Sequence, residues 1–129
     1  MTMHALDTMR ALASKGELIT LQPGDVVFKA GETGSTMFGI LEGSVRLTWT
    51  DSSAHDRHED IPVGNIFGSG SLVVEDHCRL STATAMSFCR LIVMNREKFL
   101  FAVQEAPMFA IGLLASIDAR LRDINMDGA

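Results

Sequence analysis

The sequence is short of cysteine, of basic residues and of long apolar runs, and each shortage removes a class of function. Its two cysteines, Cys78 and Cys89, lie eleven positions apart, without the C-x-x-C spacing of a zinc or dithiol site and too few for a secreted disulfide scaffold. They read as two reduced, buried, structural thiols. Lys and Arg number 11 against 16 Asp and Glu, a net charge of −5. That balance repels a phosphate backbone unless the cations cluster, and along the chain they do not. No apolar run approaches the roughly 18–20 residues that span a bilayer. The start, Met1-Thr2-Met3-His4, lacks the basic and apolar segments of a secretion signal. The expected location is the cytoplasm, with no membrane association.

What is present suits one folded domain over residues 1–129. With 47% hydrophobic residues, the chain can bury about two-thirds of its surface, and disorder is excluded. Leu6, Met9, Leu12 and Ala13 recur at helical spacing between Thr2 and Lys15, and Gly16 stands where helices often end, so residues 1–16 are expected to form a helix. From residue 17 to 94 short apolar or alternating runs are punctuated by glycine turns, an antiparallel all-β texture. The expected strands are Glu17–Leu21, Val26–Lys29, Met37–Glu42, Ser44–Thr50, Glu59–Val63, Leu80–Met86 and Cys89–Met94. Val45, Leu47 and Trp49 alternate with Arg46, Thr48 and Thr50. The polar stretch from Asp51 to His58 reads as a hairpin loop. Asn95 is a fitting N-cap for a helix through about Gln104, and Pro107 separates it from a final helix, so that residues 95–125 are helical. There Ala110, Leu114, Ile117, Leu121 and Ile124 repeat at coiled-coil spacing, compatible with a homodimer seam or with a helix packed on its own barrel; Leu113 lies outside that seam. The fold class is mainly β: an antiparallel β-roll or jelly roll with an N-terminal helix and two C-terminal helices.

The chemistry concentrates in residues 64–83. Gly64-Asn65-Ile66-Phe67-Gly68-Ser69-Gly70-Ser71-Leu72 is followed by Arg79-Leu80-Ser81-Thr82-Ala83. Glycines let backbone amides approach a ligand, a short helix from near Ser69 would aim N–H groups at an anion, and Arg79 could present a fork of donors to the same phosphate. A Gly/Ser run with one arginine also marks an ordinary turn. Other constellations are weaker. His55 and His58 lack the H-x-H spacing of a metal-binding barrel and sit in polar sequence, so they read as solvated. His4 and His77 have no ligand-spaced neighbours. Gly68-Ser69-Gly70-Ser71 lacks the G-x-S-x-G spacing of a nucleophile elbow. No catalytic residue, metal or cofactor is expected, and the protein does not read as an enzyme.

Context adds to this reading, because the chain resembles the cyclic nucleotide-binding domain family, the sensor module of catabolite activator proteins, cyclic-nucleotide-regulated kinases and gated channels. The resemblance runs through Pro23-Gly24-Asp25-Val26-Val27-Phe28, Ala30-Gly31-Glu32-Thr33-Gly34, Met37-Phe38-Gly39-Ile40-Leu41-Glu42-Gly43-Ser44-Val45, Gly64, Phe67-Gly68, Arg79, Ser81-Thr82-Ala83 and Arg120-Leu121. It implies a β-roll that holds cyclic AMP or cyclic GMP in a phosphate-binding cassette made by Phe67, Gly68, Ser69, Gly70, Ser71, Leu72, Arg79, Leu80, Ser81 and Thr82. Arg79 would pair with the phosphate charge. Two departures matter. Ser69 stands where the family has a glutamate that accepts the ribose hydroxyl, a bond of roughly 1.5–3 kcal/mol. Leu80 stands where a hydroxyl residue reads guanine, which favours the adenine nucleotide.

The resemblance implies a sensor that shifts its C-terminal helices on capturing nucleotide and acts through a protein partner. The chain stops at Asp127-Gly128-Ala129, where transcription factors of this type continue into a helix-turn-helix, so direct DNA binding is not expected. The alternative is a β-roll that has lost its ligand and serves as an interaction or dimerisation module. Arg79 separates the two. Buried without a carboxylate, it calls for an anion; exposed, or paired with Glu75 or Asp76, it favours the alternative.

Overall fold

The structure, a computed structural model, describes residues 5–12, 17–73 and 75–128. The elements follow as α1 (Ala5–Leu12), β1 (Leu18–Leu21), β2 (Val26–Phe28), β3 (Thr36–Glu42), β4 (Val45–Thr50), β5 (Asp56–Ile61), β6 (Ile66–Phe67), α2 (Gly70–Val73), β7 (Thr82–Ala85), β8 (Cys89–Asn95), α3 (Arg96–Glu105) and α4 (Pro107–Gly128). The strands make two antiparallel sheets, in the orders β1-β8-β3-β6 and β2-β7-β4-β5.

The first sheet is the middle layer. Alternate residues of β3 and β8 point to opposite faces. Met37, Ile92 and Met94 join Met9, Phe99 and Phe109 in a core under the helices. Phe38, Ile40 and Leu91 join Phe28, Leu47 and Phe67 in a second core between the sheets. Burial on both faces is why these two strands are apolar nearly throughout, whereas β4 alternates: Val45 and Leu47 are buried, and Thr48 and Thr50 face solvent. Each large side chain fully enclosed this way contributes about 1.5–3 kcal/mol.

Several boundaries differ from expectation. The hairpin loop is shorter than residues 51–58, because β5 begins at Asp56 and pairs in register with β4, Thr50 opposite Asp56 and Thr48 opposite His58. Asp51 closes the turn: its carboxylate accepts from the Ser53 and His55 N–H groups and from Arg57 Nε. The Arg57 hydrogen bond, with help from those amides, holds the Asp51 carboxyl below the usual carboxylate range. The first half of β5 is an edge segment with polar side chains on both faces, so backbone pairing rather than hydrophobic pattern makes it a strand. β7 begins at Thr82 rather than Leu80, and β6 is an additional short strand antiparallel to β3. α1 lies within the expected N-terminal helix; the rest of that expectation, with Gly16, falls outside the described residues. Cys89 is buried as expected and its Sγ donates to Ser44 O at 3.2 Å, but Cys78 is only half-buried.

The helical end follows its signals closely. Asn95 caps α3, accepting from Lys98 N at 2.8 Å, an interaction worth about 1 kcal/mol. Pro107 opens α4, which runs past the expected end at residue 125 to Gly128. Phe109 and Leu113 are buried and Ile117 packs beside them. The seam is therefore split: Ile117 belongs to the barrel contact, Leu114 is 66% and Leu121 54% exposed, and the Ile124 side chain lies outside the described residues. Among those residues, no single helix is long and apolar enough to cross a membrane.

Candidate functional site

Arg79 lies on the stretch between α2 and β7 and is drawn inward by backbone pairing with the β2–β3 loop. Gly31 N donates to Arg79 O and Arg79 N to Glu32 O, each at 2.8 Å, and Gly34 N donates to His77 O at 2.9 Å. The side chain then runs past Gly34, where a Cβ would stand 2.3 Å from Arg79 Nε. Any side chain at that position would push the guanidinium out of its place.

Arg79 as a whole is 5% exposed. Nη1 donates to Gly68 O at 2.8 Å, and Nη2 donates to Thr36 O at 2.8 Å and Thr36 Oγ1 at 3.1 Å. Cζ sits 4.2 Å from the centre of the Phe28 ring and 5.8 Å from that of Phe38, a cation–π arrangement. Phe38 in turn stacks on Phe67 at 5.2 Å. Among the described residues no carboxylate comes within 4.0 Å of it. Burial pushes its pKa down and the charge of Glu32 pulls it up, yet arginine stays protonated at any ordinary pH. The site is thus a buried cation held by carbonyls and aromatic faces, with no counter-charge in contact.

The other cassette residues fall into four groups. Gly68 and Ser71 gather at Arg79: Gly68 O accepts from Arg79 and also from Ser71 Oγ at 3.3 Å, and Ser69 is buried beside them. Phe67 and Leu72 are core residues, and Leu72 N closes the α2 turn on Ser69 O. Leu80, 82% exposed, and Thr82 turn away from Arg79 into a groove of about 690 Å³ on the outer face of the second sheet, beside Ala30, Thr48 and His58. Thr82 Oγ1 accepts from Ala30 N. Gly70 is exposed and Ser81 half-buried. α2 is a single turn from Gly70 to Val73, too short to carry an appreciable helix dipole, so the anion chemistry rests on Arg79.

Other participants carried no local signal in sequence. Thr36 reaches Arg79 across 43 positions. His77 adopts a left-handed backbone, φ 51°, and its Nδ1–H donates to Ser71 O at 2.7 Å, fastening α2 to the segment that carries Arg79. Glu75 and Asp76 are exposed loop residues, and Asp76 accepts from Cys78 N.

Comparison with known proteins agrees with this geometry. A family model described as the cyclic nucleotide-binding domain matches residues 18–106. The cyclic AMP receptor protein of Thermus thermophilus is 29% identical over 105 residues, covering 81% of this chain and 48% of that protein. A cAMP-dependent protein kinase regulatory subunit of Dictyostelium discoideum is 26% identical over 93 residues, 69% of this chain and 28% of that protein. The chain thus spans about half the length of the first relative and less than a third of the second. In fold, the c-di-GMP responsive global regulator CLP of Xanthomonas campestris superposes with a TM-score of 0.80 at 17% identity, over 96% of this chain and 61% of that one. The β-roll, the inward-facing arginine of its cassette and the match over residues 18–106 lead to one conclusion: the chain belongs to the cyclic nucleotide-binding domain family.

Proposed function

We propose that this domain is a sensor that captures the cyclic phosphate of a 3′,5′-cyclic nucleotide on Arg79 and passes the change to its C-terminal helices, acting through a protein partner. The observation that carries this is the buried guanidinium without a contacting carboxylate. A cation buried among carbonyls is costly to maintain, and a bound phosphate oxygen converts that cost into affinity through charge-assisted bonds. Leu80 faces the outer groove, away from Arg79, so its missing hydroxyl sets no preference between cyclic AMP and cyclic GMP. The apolar face of α4 formed by Ile111, Leu114 and Leu121 is exposed, and a second copy of the chain is proposed to cover it, with Ala110 at its margin and Ile117 committed to the barrel. Sedimentation tests that pairing: a dimer at high micromolar concentration is expected, and a monomer refutes it. No catalytic role is assigned to the domain.

A second reading is favoured by two observations. Ser69 replaces the ribose-binding carboxylate, and both Nη atoms of Arg79 are already engaged by Gly68 and Thr36. On that reading the roll persists without its nucleotide as a dimerisation module. Titration of the protein with cyclic AMP, cyclic GMP and linear 5′-AMP decides between them. Saturable micromolar binding of the cyclic compounds, weakest for 5′-AMP, is expected of a sensor. No heat with any of the three, from folded protein, selects the second reading.

A further inference from the structure

Among the described residues, Arg120 on α4 makes three side-chain hydrogen bonds to the roll. Its Nε and Nη2 grip both oxygens of Glu59 at 2.7 and 2.9 Å, and its Nη1 donates to Ile66 O at 2.9 Å. Glu59 stands opposite Leu47, whose side chain is buried between the sheets, so this carboxylate shares the inner face of β5. The two side chains are 22% and 14% exposed. A carboxylate there needs a partner, and the partner comes from a helix 61 positions away.

In the core, α4 packs through apolar side chains, Phe109, Leu113 and Ile117. Such packing is non-directional and tolerates small shifts, whereas a bidentate ion pair fixes position. Ile66 lies two positions before Gly68, whose carbonyl holds Arg79. The short β6 step is therefore held between two guanidiniums, Arg79 at Gly68 and Arg120 at Ile66. From α3, Arg96 Nε adds a longer contact to Leu72 O at 3.4 Å.

We propose that Arg120 is the positioning residue that tethers α4 to β5 and β6, so that α4 registers what happens at Arg79. An anion that takes the Nη donors of Arg79 releases Gly68 O, the β6–α2 turn relaxes, and Ile66 O moves away from Arg120. The tether then loosens at the α4 end and the helix shifts beyond Ile117. This rests on the anion-capture reading for its trigger, while the tether itself does not.

The test is hydrogen exchange along α4 in the full chain, for wild type, Arg120→Met, Arg120→Lys and Glu59→Gln, each with and without saturating cyclic AMP, with binding followed by calorimetry. Without nucleotide, Arg120→Met is expected to speed exchange of the 117–122 amides at least about tenfold while leaving the sheets unchanged, and Arg120→Lys and Glu59→Gln are expected to fall between it and wild type. Wild-type exchange in Arg120→Met overturns the tether. With nucleotide, wild type is expected to show faster 117–122 exchange. Arg120→Met is expected to bind within about threefold of wild type and show no further change. A full wild-type response in Arg120→Met overturns the proposal, and so does loss of its binding, which would make Arg120 a ligand contact. If wild type binds no cyclic AMP, the anion-capture reading and the sensing role fail together, and the nucleotide-free comparison still decides the tether.

Discussion

Replacing Arg79 by methionine is expected to abolish cyclic AMP binding while leaving the empty fold nearly as stable as wild type. Removing one partner of a desolvated charge pair costs about 2–5 kcal/mol, so the affinity loss should be at least about 30-fold. The stability side is a near-balance. Wild type gains three hydrogen bonds from the guanidinium and its contact with the Phe28 ring, each worth on the order of 1–3 kcal/mol. Against that stands a desolvation penalty of several kcal/mol for the cation of a residue that is 5% exposed and has no contacting carboxylate. Methionine fills much of the same space beside Phe28 and Phe38, and Gly68 O keeps the Ser71 hydroxyl as a donor. Denaturant unfolding should therefore place Arg79→Met within about 2 kcal/mol of wild type. A residue that matters little to stability and greatly to binding belongs to function. Strong destabilisation with binding retained would make Arg79 a structural residue instead.

Gly43→Ala is expected to be the most damaging small substitution for the fold. Gly43 joins β3 to β4 at φ +86°, and an added Cβ would lie 2.2 Å from the Phe88 carbonyl oxygen and 2.8 Å from Cys89 Sγ. Both obstacles are fixed. The first is backbone, and the second belongs to a buried thiol hydrogen-bonded to Ser44 O. Left-handed strain costs about 1–3 kcal/mol for a residue with a side chain, and overpacking adds about 1–3 more. A loss of about 3 kcal/mol should lower the melting temperature by roughly 12 °C in a domain of this size. Calorimetric melting checks it, and a fall of only a degree or two would mean that the β3–β4 turn can re-form around a side chain.

Much of the fold was legible because burial imposes patterns. Val45, Leu47 and Trp49 alternate because one face of β4 is wet, and Asn95 and Pro107 mark helix starts because backbone donors there need a cap or none at all. The first half of β5 was not legible, since its strand character comes from backbone pairing with β4 and leaves no apolar period. The spacing of α4 could not tell which apolar residues meet the barrel, because a 4-3-4-3 repeat spans a face wide enough to serve both neighbours. In the site, Gly68 and Arg79 stood out through a spacing that resembles a family. Thr36, Glu59 and the role of Arg120 did not, because a contact 43 or 61 positions away leaves no trace at either end. The outward turn of Leu80 and Thr82 was also hidden, since it follows from β7 beginning at Thr82.

The most direct test of the account watches the Arg79 guanidinium itself by nitrogen–proton NMR during a cyclic AMP titration. Burial should slow exchange of its Nε–H enough to give a resolved signal, assignable by its absence from Arg79→Met. That signal and the backbone amides of residues 68–72 are expected to shift together and saturate with one affinity as the phosphate displaces Gly68 O and Thr36 O. An Arg79 signal that stays in place at saturating cyclic AMP, in a folded protein, would contradict the claim that this buried cation is held for an anion.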